Sequence, residues 1–380
     1  MLLTVLTAAA IFLTGAVSAD TPSAIYSADE LFSSRDLAQE ADLSEAVSLT
    51  VSDGEDIRIT EAGIYVLSGA ASGVTIRVEA GTDDKVQLVL NGLNITNTDF
   101  PAVYVTKADK VFITTSADSS LSVTGAFRAD GSVNTDGVIF SKTDLVLNGT
   151  AALTITSPDN GIVSKDDIKI TGGTYTITAS SKCVEANDSI RIADGVLVLN
   201  AGTDGLHAEN DEDDSLGYIY IGDGTLEIRA GDDGIHATSV LQIDGGTINI
   251  SAADDGINAG AKSRSLTPTV EINAGDVTVS VSAGDTDGID SNGNIVINGG
   301  TVSVTGNSTF DYDGTGIING GTVYVNGTLY TSSTLPNQMM GGGRGGWGGQ
   351  GGWGNPGDQG GFGGQGGWGG PGGQGGGRHH

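Results

Sequence analysis

Aspartate recurs beside glycine along most of the chain, at a base spacing of about 22 residues. The motif is Asp-Gly or Asn-Gly followed by an aliphatic residue, at Asp136-Gly137, Asn160-Gly161, Asp204-Gly205, Asp233-Gly234, Asp255-Gly256 and Asp287-Gly288. If the repeats stack, these acids lie one strand spacing apart, where like charges repel by roughly 3–4 kcal/mol at an effective dielectric of about 20. The pattern therefore favours bound cations, and calcium suits it because it takes hard oxygen ligands in flexible number.

The candidate calcium ligands share this corner of successive repeats. They are Asp204, Asp232, Asp233, Asp254, Asp255, Asp285 and Asp287. The alternative is structural, because aspartate is common in Asp-Gly turns, where its side chain caps the backbone. The doubled Asp-Asp-Gly of two consecutive repeats favours the metal.

A second set of polar residues predicts a surface for a ligand. Two insertions, Glu209–Gly217 and Gly260–Thr269, follow the same strand two repeats apart and would border a notch ~10 Å wide. An outward column passes this notch, with aromatic and basic residues nearby. The candidate ligand-binding residues are Glu185, His207, Tyr218, Tyr220, Arg229, His236, Asn258 and Asp290. The alternative is an ordinary solvated polar face.

Catalysis is a weaker interpretation of the same residues. The sequence has no Ser-His-Asp spacing, phosphate loop or His-Cys metal pattern. An elimination on uronic acids would need a base beside a calcium-bound carboxylate, and Lys142, Lys165 and Lys182 form a rough column that could supply it. A solvated lysine next to aspartates has no reason to lose its proton, so binding without turnover is favoured.

Short strands must position these residues. Within each repeat, apolar and polar residues alternate with period two, as in Ile248, Ile250 and Ala252, which indicates strands with one buried face. The inward positions of successive repeats form one column: Ile177, Leu199, Ile228, Ile250, Val279, Val304 and Val325. We expect an all-β fold, a right-handed parallel β-helix of about 22 residues per coil, because a two-sheet sandwich does not produce a constant period.

The two ends differ from the repeats. Residues 1–19 read as a signal peptide with a small-residue cleavage pattern, which predicts a secreted or cell-surface protein with no membrane span in the mature chain. Residues 20–48 are expected to cap the first coil, with one helix around Ser33–Glu45. The β-helix would cover 49–332. The glycine-rich tail, 333–380, is predicted to be disordered, either as a solubilising segment or as a tether whose tryptophans bind sugars or a cell-surface matrix.

The formal net charge of −30 excludes nucleic acid as a partner, since phosphates would be repelled, and favours divalent cations. Cys183 is the single cysteine, so no disulfide framework exists, and its strand-like position predicts a small buried side chain.

Several segments together resemble a bacterial family of secreted carbohydrate-binding β-helices. They are the run from Ile59 to Gly69, the run from Val86 to Ile95, the stretch Ala102–Val105, and the Asp-Asp-Gly-Ile-His-Ala and Gly-Gly-Thr repeats within 50–330. The family is similar in fold to calcium-dependent polysaccharide lyases and binds cellulose and polygalacturonate. The resemblance implies calcium at acidic corners, best matched by Asp232, Asp233, Asp254, Asp255 and Asp287.

The favoured function is therefore calcium-dependent binding of an extracellular polysaccharide, either cellulose or an acidic plant or microbial polymer. Two alternatives stay open: a pectate-type lyase, and a structural adhesion protein that uses its glycine- and tryptophan-rich tail.

Overall fold

The computed structural model describes residues 24–260, 266–284 and 286–337. Residues up to Met340 and residues from Gly341 form separate units, and the described residues all belong to the first. The expectations for the signal peptide, for most of the tail, for Asp285 and for part of the second insertion concern residues outside the described ones. No helix within the described ranges is long and apolar enough to cross a membrane.

The described chain is almost entirely β-structure, and its strands pair in parallel with the equivalent strands of the next repeat. Three parallel ladders result, to each of which one repeat adds one strand. Strands Val47–Thr50, Gly63–Ser72 and Lys85–Asn97 open the structure, and the last of these pairs with the first strands of both ladder one and ladder two. The all-β prediction with parallel pairing is confirmed.

The strands of ladder one are Lys110–Ala117, Asp144–Gly149, Asp167–Ile170, Ser189–Ile192, Tyr218–Ile221, Val240–Ile243, Thr269–Ile272, Asn294–Ile297 and Gly316–Ile318. Those of ladder two are Ser119–Val123, Ala152–Ser157, Thr174–Ala179, Val196–Ala201, Thr225–Ala230, Thr247–Ala252, Asp276–Val281, Thr301–Thr305 and Thr322–Val325. The final strand, Thr328–Tyr330, pairs antiparallel with Thr322–Val325.

Ladder three forms a sheet of its own and carries the Asp-Gly motifs at its entry. Its strands are Ile57–Ile59, Ile76–Glu79, Val103–Lys107, Gly137–Ser141, Asn160–Ser164, Val184–Ala186, Leu206–Ala208, Ile235–Ala237, Ile257–Ala259, Asp287–Ser291 and Ser308–Tyr312.

The core is a set of aliphatic columns inside the three ladders. The column predicted from the sequence, from Ile177 to Val325, is in register along ladder two, and every member before Val325 is buried. Cys183 is also fully buried, as predicted. Each large aliphatic side chain removed from water contributes about 1.5–3 kcal/mol, so the stack rests on these columns.

Glycine in the Asp-Gly motif is required by close packing. A Cβ added at Gly234 would overlap Ile250 Cγ2 and lie 2.5 Å from the carbonyl oxygen of Gly256 in the next repeat. Gly205 and Gly256 have equivalent neighbours. The motif therefore marks where ladder three approaches ladder two too closely for a side chain.

Residues 24–46, here called the N-terminal strap, differ from the expected cap. Their helix is Ala28–Leu31, followed by a 3-10 turn at Leu43–Glu45. The helix expected around Ser33–Glu45 is wrong, because Ser33 and Asp36 form a turn in which each backbone amide donates to the other side chain.

The strap runs along the outer face of ladder one. The amide of Tyr26 donates to Gln242 Oε1 at 2.7 Å, and the Gln39 side chain donates to the carbonyl oxygen of Thr171 at 2.8 Å. These contacts lie beside the stack, many repeats from its first strand.

Candidate functional site

The outward positions of ladder three form the polar column that the sequence predicted. Parallel register aligns Glu185 with His207, His207 with His236, His236 with Asn258, and Asn258 with Asp290. Period two produces this arrangement, because in each three-residue strand the two flanking residues, such as Ile235 and Ala237, point into the core. The column is therefore a consequence of the repeat.

The inner aspartates of the Asp-Gly motifs form a hydrogen-bonded ladder beside this column. The backbone amide of Asp233 donates to Asp204 Oδ1 at 3.2 Å, that of Asp255 to Asp233 Oδ1 at 3.1 Å, and that of Asp287 to Asp255 Oδ1 at 2.7 Å. Each carboxylate thus ties one repeat to the next, which is the turn-capping role that aspartate fills in such corners.

The second carboxylate oxygens of these aspartates hold the column. Asp204 Oδ2 lies 2.8 Å from His207 Nδ1, and Asp233 Oδ2 accepts a hydrogen bond from His236 Nδ1 at 2.9 Å. Asn258 donates to Oδ2 of both Asp233 and Asp255, at 3.2 and 3.0 Å. Asp204, Asp233 and Asp255 therefore orient the polar column as well as forming the corner.

Two groups of acids at this edge bring carboxylate oxygens within 4.8 Å of one another. One contains Asp232, Asp233 and Asp254, and the other contains Asp287, Asp290 and Asp311. Oxygen-only donor sets of this kind fit a hard divalent cation such as calcium. Asp311 was absent from the predicted ligand set, although it aligns with Asp290 in the next strand.

Burial and crowding of like charges penalise ionisation here. Burial, then the neighbouring Asp287 and Asp311, raises the pKa of Asp290 to about 7. Burial is also the main cause that raises the pKa of Asp255 to about 8, with Asp233 adding to it against the Asp287 amide. A bound divalent cation would supply the missing positive charge at this edge.

A third acidic cluster was missed. Asp144, Asp166 and Asp167 meet at the start of ladder one, and burial followed by Asp144, Asp167 and Asp188 raises the pKa of Asp166 to about 7. Arg191 pairs with Asp167 at 2.7 Å and Lys110 with Asp144 at 3.3 Å, so the cluster is partly neutralised. The signal in the sequence was acid at one turn of successive repeats.

A cavity of about 460 Å³ lies where the first insertion leaves the stack. Glu185 and His207 line it from ladder three, and Glu209 and Asn210 line it from the insertion. Asn210 fixes the insertion because its side chain donates to Asp188 at 2.8 Å and accepts from the amide of Asp213 at 2.8 Å. The predicted notch therefore has one wall as expected.

Lysine introduces positive charge into this acidic cavity. Lys165 Nζ lies 3.3 Å from Glu185 Oε1, and Lys182 Nζ lies 3.4 Å from Glu185 Oε2. Burial would raise the pKa of Glu185, but the two lysines outweigh it and hold that pKa below its usual value. The lysines thus serve as charge partners, and a protonated ammonium group cannot act as the base that elimination requires.

Three predicted binding residues do not join the site. Tyr218 and Tyr220 lie in ladder one, buried beneath the strap, where the ring of Tyr26 stacks on Tyr218 at 4.5 Å. Arg229 is exposed on ladder two, between Asn200 and Ser251. The insertion that precedes Tyr218 turns the chain onto a different face of the stack, which proximity in the sequence could not reveal.

Comparison with known proteins assigns the family. A family model described as carbohydrate-binding domain-containing protein matches residues 53–327. A carbohydrate-binding domain-containing protein of Acetivibrio thermocellus is 35% identical over 133 residues, which cover 34% of this chain and 46% of the relative, so the match spans about half of the relative's length. A polysaccharide lyase-like protein from C. thermocellum, solved as a gadolinium derivative, has 25% identity and a TM-score of 0.49 over 72% of this chain and 96% of its own. The chain therefore belongs to the family of carbohydrate-binding domain-containing proteins.

Proposed function

We propose that this chain is a calcium-dependent extracellular polysaccharide-binding protein, built as a right-handed parallel β-helix with coils of about 22 residues. The observation that carries the proposal is the in-register column from Glu185 to Asp290, with a cavity at one end and carboxylate clusters at the other. Membership of a carbohydrate-binding family supports the class of ligand.

Calcium has two roles in this proposal. It offsets the repulsion among Asp287, Asp290 and Asp311, whose oxygens converge within 4.8 Å. It also allows an acidic polymer to approach a chain whose formal net charge is −30, because an ion held by protein carboxylates can accept a uronate oxygen as a further ligand.

The cavity supplies the sugar contacts. Its lining is polar and charged, with Lys165 and the Glu185 carboxylate placed to accept or donate hydrogen bonds to hydroxyl and carboxylate groups. Polar groups in fixed positions give orientation and specificity to such a site. Cellulose and acidic plant or microbial polysaccharides are the candidate ligands, and the uronate polymers use the lysine and the calcium best.

Affinity electrophoresis through gels containing polygalacturonate or soluble cellulose derivatives, with calcium or with chelator, tests the proposal. We expect retardation in calcium that is lost in chelator, and lost in Asp290→Asn, but kept in the exposed control Asp276→Asn. Retardation that is unaffected by chelator would contradict the calcium dependence. Release of an unsaturated, ultraviolet-absorbing uronate product would instead identify a lyase.

A further inference from the structure

His207 and His236 are adjacent members of the polar column and share one orientation. Their rings stack with centroids 4.7 Å apart and planes 11° apart. In each, Nδ1 faces the aspartate of its own Asp-Gly corner, at 2.8 Å for Asp204 and 2.9 Å for Asp233. Because the rings are parallel and anchored on the same side, their two Nε2 atoms point the same way, away from the aspartate ladder.

Glu209 occupies the other side of the first ring. Its Oε2 atom lies 2.9 Å from His207 Nε2, so this imidazole is held between two carboxylates. A neutral imidazole has one N–H and one lone pair. Whichever nitrogen carries the proton, the other directs its lone pair at a carboxylate oxygen less than 3 Å away, and a cation must lie there to make the contact favourable.

A second proton is a poor candidate for that cation. His207 is only 7% exposed, and burial lowers its pKa, although the hydrogen bond to Asp204 acts in the opposite direction. A metal ion satisfies the same contact without requiring a buried imidazolium, because the lone pairs of nitrogen and oxygen both become ligands.

We propose that His207 Nε2, His236 Nε2 and the Glu209 carboxylate bind one divalent transition-metal ion of the zinc class, at a site separate from the calcium-type carboxylate clusters. Two imidazoles and one carboxylate select zinc, copper or nickel over calcium. Three protein ligands leave a position for water or for a ligand oxygen, as in open zinc sites.

The distances fit such an ion. With Zn–N of about 2.0–2.1 Å and Zn–O of about 2.0–2.2 Å, the observed 2.9 Å between His207 Nε2 and Glu209 Oε2 corresponds to an angle at the metal near 90°. The stacked rings need only tilt their Nε2 ends together, to about 3.4 Å for a tetrahedral angle. Asp204 and Asp233 already supply the outer hydrogen bonds that orient metal-bound histidines.

Calorimetric titration with Zn²⁺ tests the site, in the presence of excess calcium so that the carboxylate clusters are filled. The chain ends in His379 and His380, so all proteins carry H379A/H380A to remove this second source of imidazole. We expect one equivalent of zinc, and a loss of at least about tenfold in affinity in both Glu209→Gln and His236→Gln. His236 is half-buried and is preferred over the buried His207, whose replacement threatens folding.

Two further measurements separate a metal from a proton. Co²⁺ bound by imidazole should give visible d–d absorption that His236→Gln abolishes, and Asp290→Asn should leave zinc affinity unchanged. Unchanged zinc affinity in both Glu209→Gln and His236→Gln would overturn the proposal. So would the absence of zinc binding in the parent protein, which would leave a buried imidazolium as the cation in this contact.

Discussion

The carboxylate of Asp36 lies 2.9 Å from the ammonium group of Lys169, although 133 residues separate them. Both side chains are buried, with 1% and 7% of their surfaces exposed. Lys110 lies 3.8 Å from the other oxygen of the same carboxylate. A charged aspartate therefore fixes the strap to ladder one, and the strap in turn covers the aromatic surface around Tyr218.

Asp36→Ala should destabilise the protein strongly. It leaves Lys169 buried without its partner, which typically costs about 3–5 kcal/mol. Urea denaturation followed by circular dichroism measures the free energy of unfolding. Asp29→Ala, an exposed acid in the same strap, is the matched control and should change stability by less than about 0.5 kcal/mol. A similar small effect of Asp36→Ala would show that the strap does not depend on this ion pair.

Acid should release the same contribution. Burial would raise the pKa of Asp36, but the Ser33 amide and the two lysines outweigh it, so the folded-state pKa is lowered. A lowered pKa means that the unfolded state binds more protons, so stability falls as pH drops below about 4. The difference in unfolding free energy between the native protein and Asp36→Asn should therefore shrink between pH 5 and pH 2, and a constant difference would contradict it.

Gly234→Ala should destabilise the stack because its Cβ would overlap Ile250 and approach the Gly256 carbonyl. Overpacking in a close-packed interior typically costs about 1–3 kcal/mol. Gly284→Ala is the control, since its nearest neighbour, Thr286 Cγ2, is 3.5 Å away. Thermal denaturation of the two variants compares them directly, and equal melting temperatures would refute the packing explanation of the Asp-Gly motif.

Much of the architecture could be predicted because the fold repeats. A period near 22 residues fixes which residues align, so both the inward column around Ile228 and the outward column around His236 follow from the sequence. The same register places the aspartates of successive corners next to one another.

The remaining features depend on segments that do not repeat. The strap has no period, so nothing in its sequence indicated that Tyr26 would cover Tyr218 or that Asp36 would reach Lys169. The hydrogen-bonding role of Asp233 was also hidden, because a sequence does not distinguish a carboxylate that caps a backbone amide from one that binds calcium.

Removing divalent ions should make stability depend on pH in the opposite sense to Asp36. The pKa values of Asp255 and Asp290 are raised to about 8 and about 7, so the folded state binds more protons than the unfolded state. Stability in chelator should therefore fall as pH rises from about 4 towards 8. Calcium at about 100 times its dissociation constant should restore about 2.7 kcal/mol at pH 8. Differential scanning calorimetry measures both effects, and a melting temperature indifferent to chelator at pH 8 would contradict the calcium sites.

Lys165 and Arg229 distinguish the two faces on which a polysaccharide could bind. Lys165 lines the cavity beside Glu185, whereas Arg229 is exposed on ladder two. A hydrogen bond from an ammonium group to a uronate typically contributes about 1.5–3 kcal/mol, so Lys165→Gln should weaken binding roughly tenfold or more. Arg229→Gln removes the same charge from the other face and should leave affinity unchanged. Binding isotherms for oligogalacturonate in calcium compare the two variants. The reverse order of effects would move the binding surface from the cavity to ladder two, and would leave the column from Glu185 to Asp290 as a structural feature alone.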